Sequence, residues 1–109
     1  PAHQALDIGA EIEVYPGPDI DVHWILDTLA RRGIRRLLIE AGGDLLAQFA
    51  AAGALDELYV PICPLLIGGK NNASLVDGPG FLAHKMPRLK LHTVDRCEDE
   101  LYLHYFVQK

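Results

Sequence analysis

The 109 residues suffice for one small domain with a single core, and half of them are hydrophobic, which excludes an intrinsically disordered chain. Ten basic against fifteen acidic residues give a net charge of −5 without a basic stripe, which argues against a nucleic-acid binder. No apolar run approaches the roughly 18 residues of a membrane helix and no charged-then-apolar leader stands out, so the expected location is the cytoplasm, away from membranes.

In chain order, residues 1–10 read as the tail of a helix stopped by Gly9. Glu11-Ile12-Glu13-Val14-Tyr15 alternates polar and apolar, the signature of a half-buried strand, and Pro16-Gly17-Pro18 ends it. Asp21 is a good N-cap. Val22, Ile25, Leu26, Leu29 and Ala30 then form one stripe of an amphipathic helix, which Gly33 closes behind a basic last turn. His23 and Trp24 fall off the centre of that stripe, as surface or rim residues. Arg31, Arg32, Arg35 and Arg36 flank the turn that follows. They suit a solvated helix end favoured by the dipole, although four arginines would also hold an anion.

The stretch from Leu37 to Leu46 organises what comes next. Arg36 to Glu40 is short and apolar enough for a buried strand. Gly42-Gly43 follows, and Asp44-Leu45-Leu46-Ala47-Gln48-Phe49-Ala50 continues as a helix to about Ala52, with Gly53 as its cap. A further strand runs over Leu58-Tyr59-Val60-Pro61-Ile62. Pro61 lacks a donor and so marks an edge, a bulge or the end of regular pairing. Strand, helix, strand, helix, strand implies βαβ crossovers and a parallel sheet. Residues 64–87, rich in Gly, Pro and Asn, form a loop long enough to be functional or disordered. Two alternating runs, 89–94 and 101–107, joined by the polar residues 95–100, predict an antiparallel hairpin. The second run is apolar on both faces, with Leu101, Leu103, Tyr105 and Val107 on one and Tyr102 and Phe106 on the other. Such a strand should be covered.

Three motifs bear on chemistry. A strand that breaks at Gly42-Gly43 and resumes as a helix points free backbone N–H groups at whatever lies above the turn. The dipole adds roughly half a positive charge there, which suits a phosphate or pyrophosphate. The pattern is neither the Gly-x-Gly-x-x-Gly fingerprint nor a P-loop, and on spacing alone the plainer reading is a tight turn requiring positive φ. Glu40 ends its strand at the carboxyl side, where open α/β sheets bind ligands; it serves equally as a cap for the following helix. Thirdly, His3, His23, His84, His92 and His104 fall at no metal-ligand spacing, and no Gly-x-Ser-x-Gly elbow is present. No catalytic or metal-binding residue is therefore assigned. His92 and His104 meet across the hairpin in this reading, as packing partners. Cys63 and Cys97 form no CxxC pair and read as buried small hydrophobes.

Several of these segments, in this order, resemble a known family. Gly33-Ile34 with Leu38-Ile39-Glu40-Ala41-Gly42-Gly43-Asp44-Leu45, then Gly53-Ala54-Leu55-Asp56-Glu57-Leu58, then Pro64-Leu65-Leu66-Ile67-Gly68-Gly69-Lys70, resemble the pyrimidine reductase domain of riboflavin biosynthesis. Val76-Asp77-Gly78-Pro79-Gly80-Phe81 and Asp99-Glu100-Leu101-Tyr102-Leu103 are similar too, especially to the stand-alone archaeal form. Ala41 stands where many members have glycine.

The resemblance implies a dihydrofolate-reductase-like, three-layer α/β fold with a mainly parallel sheet and a C-terminal antiparallel hairpin, here lacking the family's N-terminal strands. It implies NADPH as cofactor and hydride transfer to the ribosylamino side chain of a diaminopyrimidinone or aminouracil 5′-phosphate, giving the ribityl form. It implies that Gly42, Gly43, Asp44, Leu45, Leu46, Ala47 and Gln48 contact NADPH, that Glu40 faces the substrate, and that the protein is a homodimer. The chain matches the family's domain from about halfway, so these residues are expected to be inactive by themselves. Two alternatives remain open at this level: a non-catalytic nucleotide-binding or assembly module of the same fold, and a related reductase with another small substrate.

Overall fold

The computed structural model describes residues 9–109, so the expected helix tail over residues 1–8 lies outside the described residues. The chain divides into two compact units, Pro1–Leu37 and Leu38–Lys109.

In the first unit, α1 spans Val22–Arg31. Asp21 has extended backbone geometry, and its carboxylate accepts a hydrogen bond from the His23 amide at 3.0 Å, satisfying one donor left orphaned by the helix start. The far end closes as a Schellman motif: the Gly33 amide bonds Ala30 O (2.9 Å) and the Ile34 amide bonds Leu29 O (3.0 Å). Gly33 has φ +79°, which explains the glycine there. Arg32 pairs with both Glu11 and Glu13, and Arg31 donates to Thr28 Oγ1 at 3.0 Å. Half of the basic cluster is thus occupied by neighbouring side chains. Trp24 is half-buried and packs edge-on against Tyr15, with ring centroids 5.2 Å apart.

In the second unit, α2 spans Gly43–Ala51 and ends in the same way, with the Gly53 amide on Ala50 O (3.1 Å) and the Ala54 amide on Phe49 O (2.9 Å). Three strands follow: β1 (Glu57–Ile62), β2 (Arg88–Cys97) and β3 (Glu100–Gln108). They form one antiparallel sheet in the order β1-β3-β2. β1 is an edge strand, which is where Pro61, opposite Tyr102, is tolerated. Lys109 ties the end of β3 to the entry of β1, with Nζ 2.8 Å from Gly53 O, 2.9 Å from Leu55 O and 3.2 Å from an Asp56 carboxylate oxygen.

The hairpin is longer than its hydrophobic alternation suggests. Asp95, Arg96 and Cys97 continue β2 to the pair Cys97–Glu100, and only Glu98-Asp99 turn the corner. Glu98 takes φ +53°, and its carbonyl accepts from Arg96 Nε at 2.7 Å. The ladder shifts register between Leu91 and Thr93, so His92 is the extra residue of a bulge.

The predicted strands at 11–15 and 36–40 pair with no ladder among the described residues. Alternation says which face an extended segment would bury; it does not supply the neighbour whose hydrogen bonds make it a strand. Among the described residues all strand pairing is antiparallel, in place of the expected parallel crossovers, and the α/β character rests on two helices and an antiparallel sheet. Cys63 and Cys97 are both exposed rather than buried. Cys63 follows the edge strand directly and Cys97 sits at the hairpin corner, where nothing covers them. Among the described residues no helix is long and apolar enough to cross a membrane.

Candidate cofactor and substrate site

The glycine turn is the feature that the local sequence builds most sharply. Gly42 is the N-cap of α2, with φ −70° and ψ 166°, and no side chain caps the helix. The first intrahelical bond runs from the Leu46 amide to Gly42 O at 3.2 Å. The amides of Gly43, Asp44 and Leu45 therefore precede the helical ladder. Together with the dipole they make this end of α2 attractive to an anion.

Neither glycine adopts positive φ, so the turn is not explained by left-handed geometry. The two residues are there for different reasons. A Cβ on Gly42 would meet nothing within 4 Å, leaving the backbone open to close approach from outside. Gly43 is buried, and a Cβ on it would lie 2.6 Å from Asp77 Cγ and 2.7 Å from Ser74 O. Its missing side chain lets the loop around Ser74–Asp77 sit directly on the start of α2. The Asp77 amide donates to Gly43 O at 3.2 Å.

Glu40 is exposed two residues ahead of the N-cap. Because α2 carries no side-chain cap, the capping alternative for Glu40 does not hold. The seven residues from Gly42 to Gln48 do not form one surface. A helix turns about 100° per residue, so Asp44 and Gln48 share its exposed face while Leu45, Leu46 and Ala47 are half-buried. What the structure gathers at the turn is the backbone of Gly42 to Leu45 and the side chain of Asp44.

Ser74 and Asp77 are the residues that the sequence reading left without a role. A Ser-x-x-Asp spacing is a recognisable signal of local side-chain bonding. The contact with a glycine 34 positions away had no sequence signal beyond that glycine itself.

A second cluster lies on the face of the sheet that carries Tyr59, Tyr102, His104 and Phe106. Glu57 Oε2 accepts from the Tyr59 hydroxyl at 2.9 Å and lies 2.9 Å from His104 Nε2. The Tyr59 and His104 rings stack at 4.2 Å, and the bulge brings His92 edge-on to His104 at 5.0 Å. The two histidines do meet, and they do so as packed rings. No group of three His, Cys, Asp or Glu among the described residues is arranged to hold a metal ion. On the same face the Tyr102 hydroxyl donates to Glu100 Oε2 at 2.5 Å, and this bond, reinforced by the carboxylate's charge, raises the Tyr102 pKa above the ordinary tyrosine value. A shallow concavity of about 130 Å³ opens beside this cluster, and a larger one of about 440 Å³ lies between the end of α2 and the end of β3. Neither includes Glu40 or residues 42–48.

Two helices, the second opening at Gly42-Gly43, and a three-stranded antiparallel sheet define an α/β protein. Comparison with known proteins makes this specific. Residues 3–103 match the model of the RibD C-terminal domain, and the chain belongs to that family. It is 34% identical over 101 residues to the 2,5-diamino-6-ribosylamino-4(3H)-pyrimidinone 5′-phosphate reductase of Methanothermobacter thermautotrophicus, covering 91% of this chain and 46% of that protein. It is 30% identical over 97 residues to the riboflavin biosynthesis protein RibD of Bacillus amyloliquefaciens, covering 88% of this chain and 26% of that one. Its fold is shared with a pyrimidine reductase-like protein of Corynebacterium diphtheriae, at a TM-score of 0.78 and 22% identity over 99% of this chain and 43% of the other. The chain spans between a third and just under half of the length of the curated reductases it matches.

Proposed function

We propose that the protein to which this chain belongs is an NADPH-dependent oxidoreductase of riboflavin biosynthesis. It reduces the ribosylamino side chain of a diaminopyrimidinone or aminouracil 5′-phosphate to the ribityl form. The observation that carries this reading is the family match over residues 3–103, with the uncapped start of α2 falling inside it. The residues present fit a dinucleotide phosphate: the N-cap is a glycine with open space where its side chain would stand, and three helix-start amides are free of the ladder. NADPH, when bound, supplies the hydride.

This chain's part is to receive and orient. The backbone of Gly42 and Gly43, with the start of α2 from Asp44 to Gln48, holds the cofactor, and Glu40, exposed two residues ahead of the N-cap, faces the substrate. Positioning two reactants is most of what hydride transfer asks of a protein. Residues 1–109 by themselves are proposed to be inactive, in keeping with their coverage of less than half of the reductases they resemble.

NADPH titration of the full-length protein, followed by cofactor fluorescence, should saturate, and the KM for NADPH should fall within the usual range of roughly 1 μM to 1 mM. Adding the pyrimidine phosphate should then produce a loss of absorbance at the nicotinamide band. The 109-residue polypeptide should show no such turnover. Absence of NADPH binding to the full-length protein would favour a non-catalytic module of the same fold.

The protein is further proposed to be a homodimer. Tyr59, Tyr102 and Phe106 are exposed on one sheet face, and Leu65, Leu66 and Ile67 present a contiguous apolar run with 73%, 104% and 82% of their surface accessible. Surfaces of this kind mark association sites more often than solvent-facing ones. Light scattering on the full-length protein at micromolar concentration should return twice the chain mass, and a monomer would overturn the proposal.

A further inference from the structure

We propose that Asp77 is a positioning residue for the cofactor turn: with Ser74 it clamps the Gly42-Gly43 backbone so that the free amides of α2 stay aimed at a dinucleotide phosphate. The inference rests on the cofactor reading above, but its geometry stands independently of it. Asp77 is half-buried, and its neighbours from Asn71 to Val76 and from Gly78 to Gly80 are exposed. Its amide donates to Gly43 O at 3.2 Å, which fixes the carbonyl of the first helical residue from outside the helix. Its Oδ1 accepts from the Ser74 amide at 3.3 Å and from the Ser74 hydroxyl at 2.5 Å. The hydroxyl also lies 2.9 Å from Val76 O, and the charged carboxylate is the stronger acceptor for its single proton.

The loop thereby becomes a closed turn with two points of attachment to one glycine. One is the amide bond to Gly43 O. The other is the close approach of the Asp77 carboxylate and Ser74 O to the Gly43 Cα, where a Cβ would not fit. Residues 74–77 are far from α2 in sequence and touch it only here by hydrogen bond. A loop that closes on itself through Asp77 and rests on Gly43 limits how far the start of α2 can rotate. That rotation would misdirect the amides of Gly43, Asp44 and Leu45 together.

A positioning role makes a different prediction from a direct electrostatic one. A carboxylate close to a bound phosphate repels it, so on electrostatic grounds alone any neutral substitution should tighten NADPH binding. On the positioning argument Asp77→Asn, which keeps an acceptor for the Ser74 amide and hydroxyl, retains or slightly improves affinity. Asp77→Ala, which loses the acceptor, weakens NADPH binding about tenfold, the scale of one lost charge-assisted hydrogen bond.

The experiment uses the full-length protein and two readouts. The first is NADPH affinity for wild type, Asp77→Asn and Asp77→Ala. The second is amide hydrogen exchange without NADPH at Leu46 and Asp77, whose amides bond Gly42 O and Gly43 O. Asp77→Ala should accelerate exchange at both amides about tenfold, and Asp77→Asn should leave both near the wild-type rate. If Asp77→Ala does not fold, Ser74→Ala takes its place, with faster exchange in the same direction. Unchanged exchange in the alanine variant, or tighter NADPH binding by it, overturns the proposal. Failure of the wild-type protein to bind NADPH overturns the cofactor reading instead, and the exchange rates still decide whether the clamp exists.

Discussion

Gly43→Ala should destabilise the protein by about 1–3 kcal/mol, the ordinary cost of forcing an extra methyl into a filled space, while Gly42→Ala should cost under about 1 kcal/mol. Helix propensity alone predicts the opposite for Gly43, since alanine is better than glycine inside a helix by up to about 1 kcal/mol. The sign of the change is therefore diagnostic. The methyl at position 43 would fall 2.7 Å from the backbone oxygen of Ser74 and 2.6 Å from Asp77 Cγ. A backbone oxygen cannot swing away as a flexible side chain does, so either the Ser74–Asp77 loop lifts or the start of α2 shifts. Both routes break the bond from the Asp77 amide to Gly43 O.

At position 42 there is no obstacle, and φ −70°, ψ 166° is accessible to alanine. What remains is the modest preference for glycine over alanine at an N-cap. Urea denaturation of the two variants in the full-length protein measures the difference. Stabilities that fall equally, or a Gly43→Ala protein as stable as wild type, would show that the loop does not rest on the turn as described. On the proposed cofactor reading the two variants also diverge in a second respect: Gly42→Ala loses NADPH affinity with only this small loss of stability, because its methyl stands in the open space a phosphate would approach.

This pair also shows how much the sequence could say. Both helices were legible to within a residue or two, because each carries its own terminators: Asp21 and Gly33 for α1, and Gly53 for α2, with the glycines at φ +79° and +64°. Local hydrogen bonds decide such ends, and local residues encode them. The hairpin was legible in kind but short in extent, since Asp95 to Cys97 look like turn residues and become strand only through pairing with β3. The segments at 11–15 and 36–40 illustrate the limit, because the alternation of the first and the apolar run of the second are real, and their ladder partner is not determined by anything in the segment. At the site, Gly42-Gly43 advertised a turn, but the reason for two glycines was hidden. One leaves space empty and the other makes room for a loop more than thirty residues away. Asp77 was visible as part of a family-like run and invisible as a contact.

Phe49→Ala should produce the largest loss of stability of any single truncation in this chain, about 3–5 kcal/mol. Phe49 is 2% exposed and is the largest fully buried side chain among the described residues. Almost all the other large apolar residues keep part of their surface in water, and several of them, from Leu38 to Ile67, are largely exposed. Among the described residues the buried apolar side chains are Phe49 and Val22. Phe49 also sits one turn from the C-terminal end of α2, and its carbonyl accepts the Ala54 amide that closes the Schellman motif. The truncation removes packing from the very turn whose backbone fixes the path from α2 into β1. Phe49→Leu keeps most of the apolar volume and should recover more than half of the loss. Chemical denaturation of wild type, Phe49→Leu and Phe49→Ala in the full-length protein should rank them in that order. Equal midpoints for wild type and the alanine variant would show that the stability of the α2 region is carried by residues other than the one this fold buries most completely.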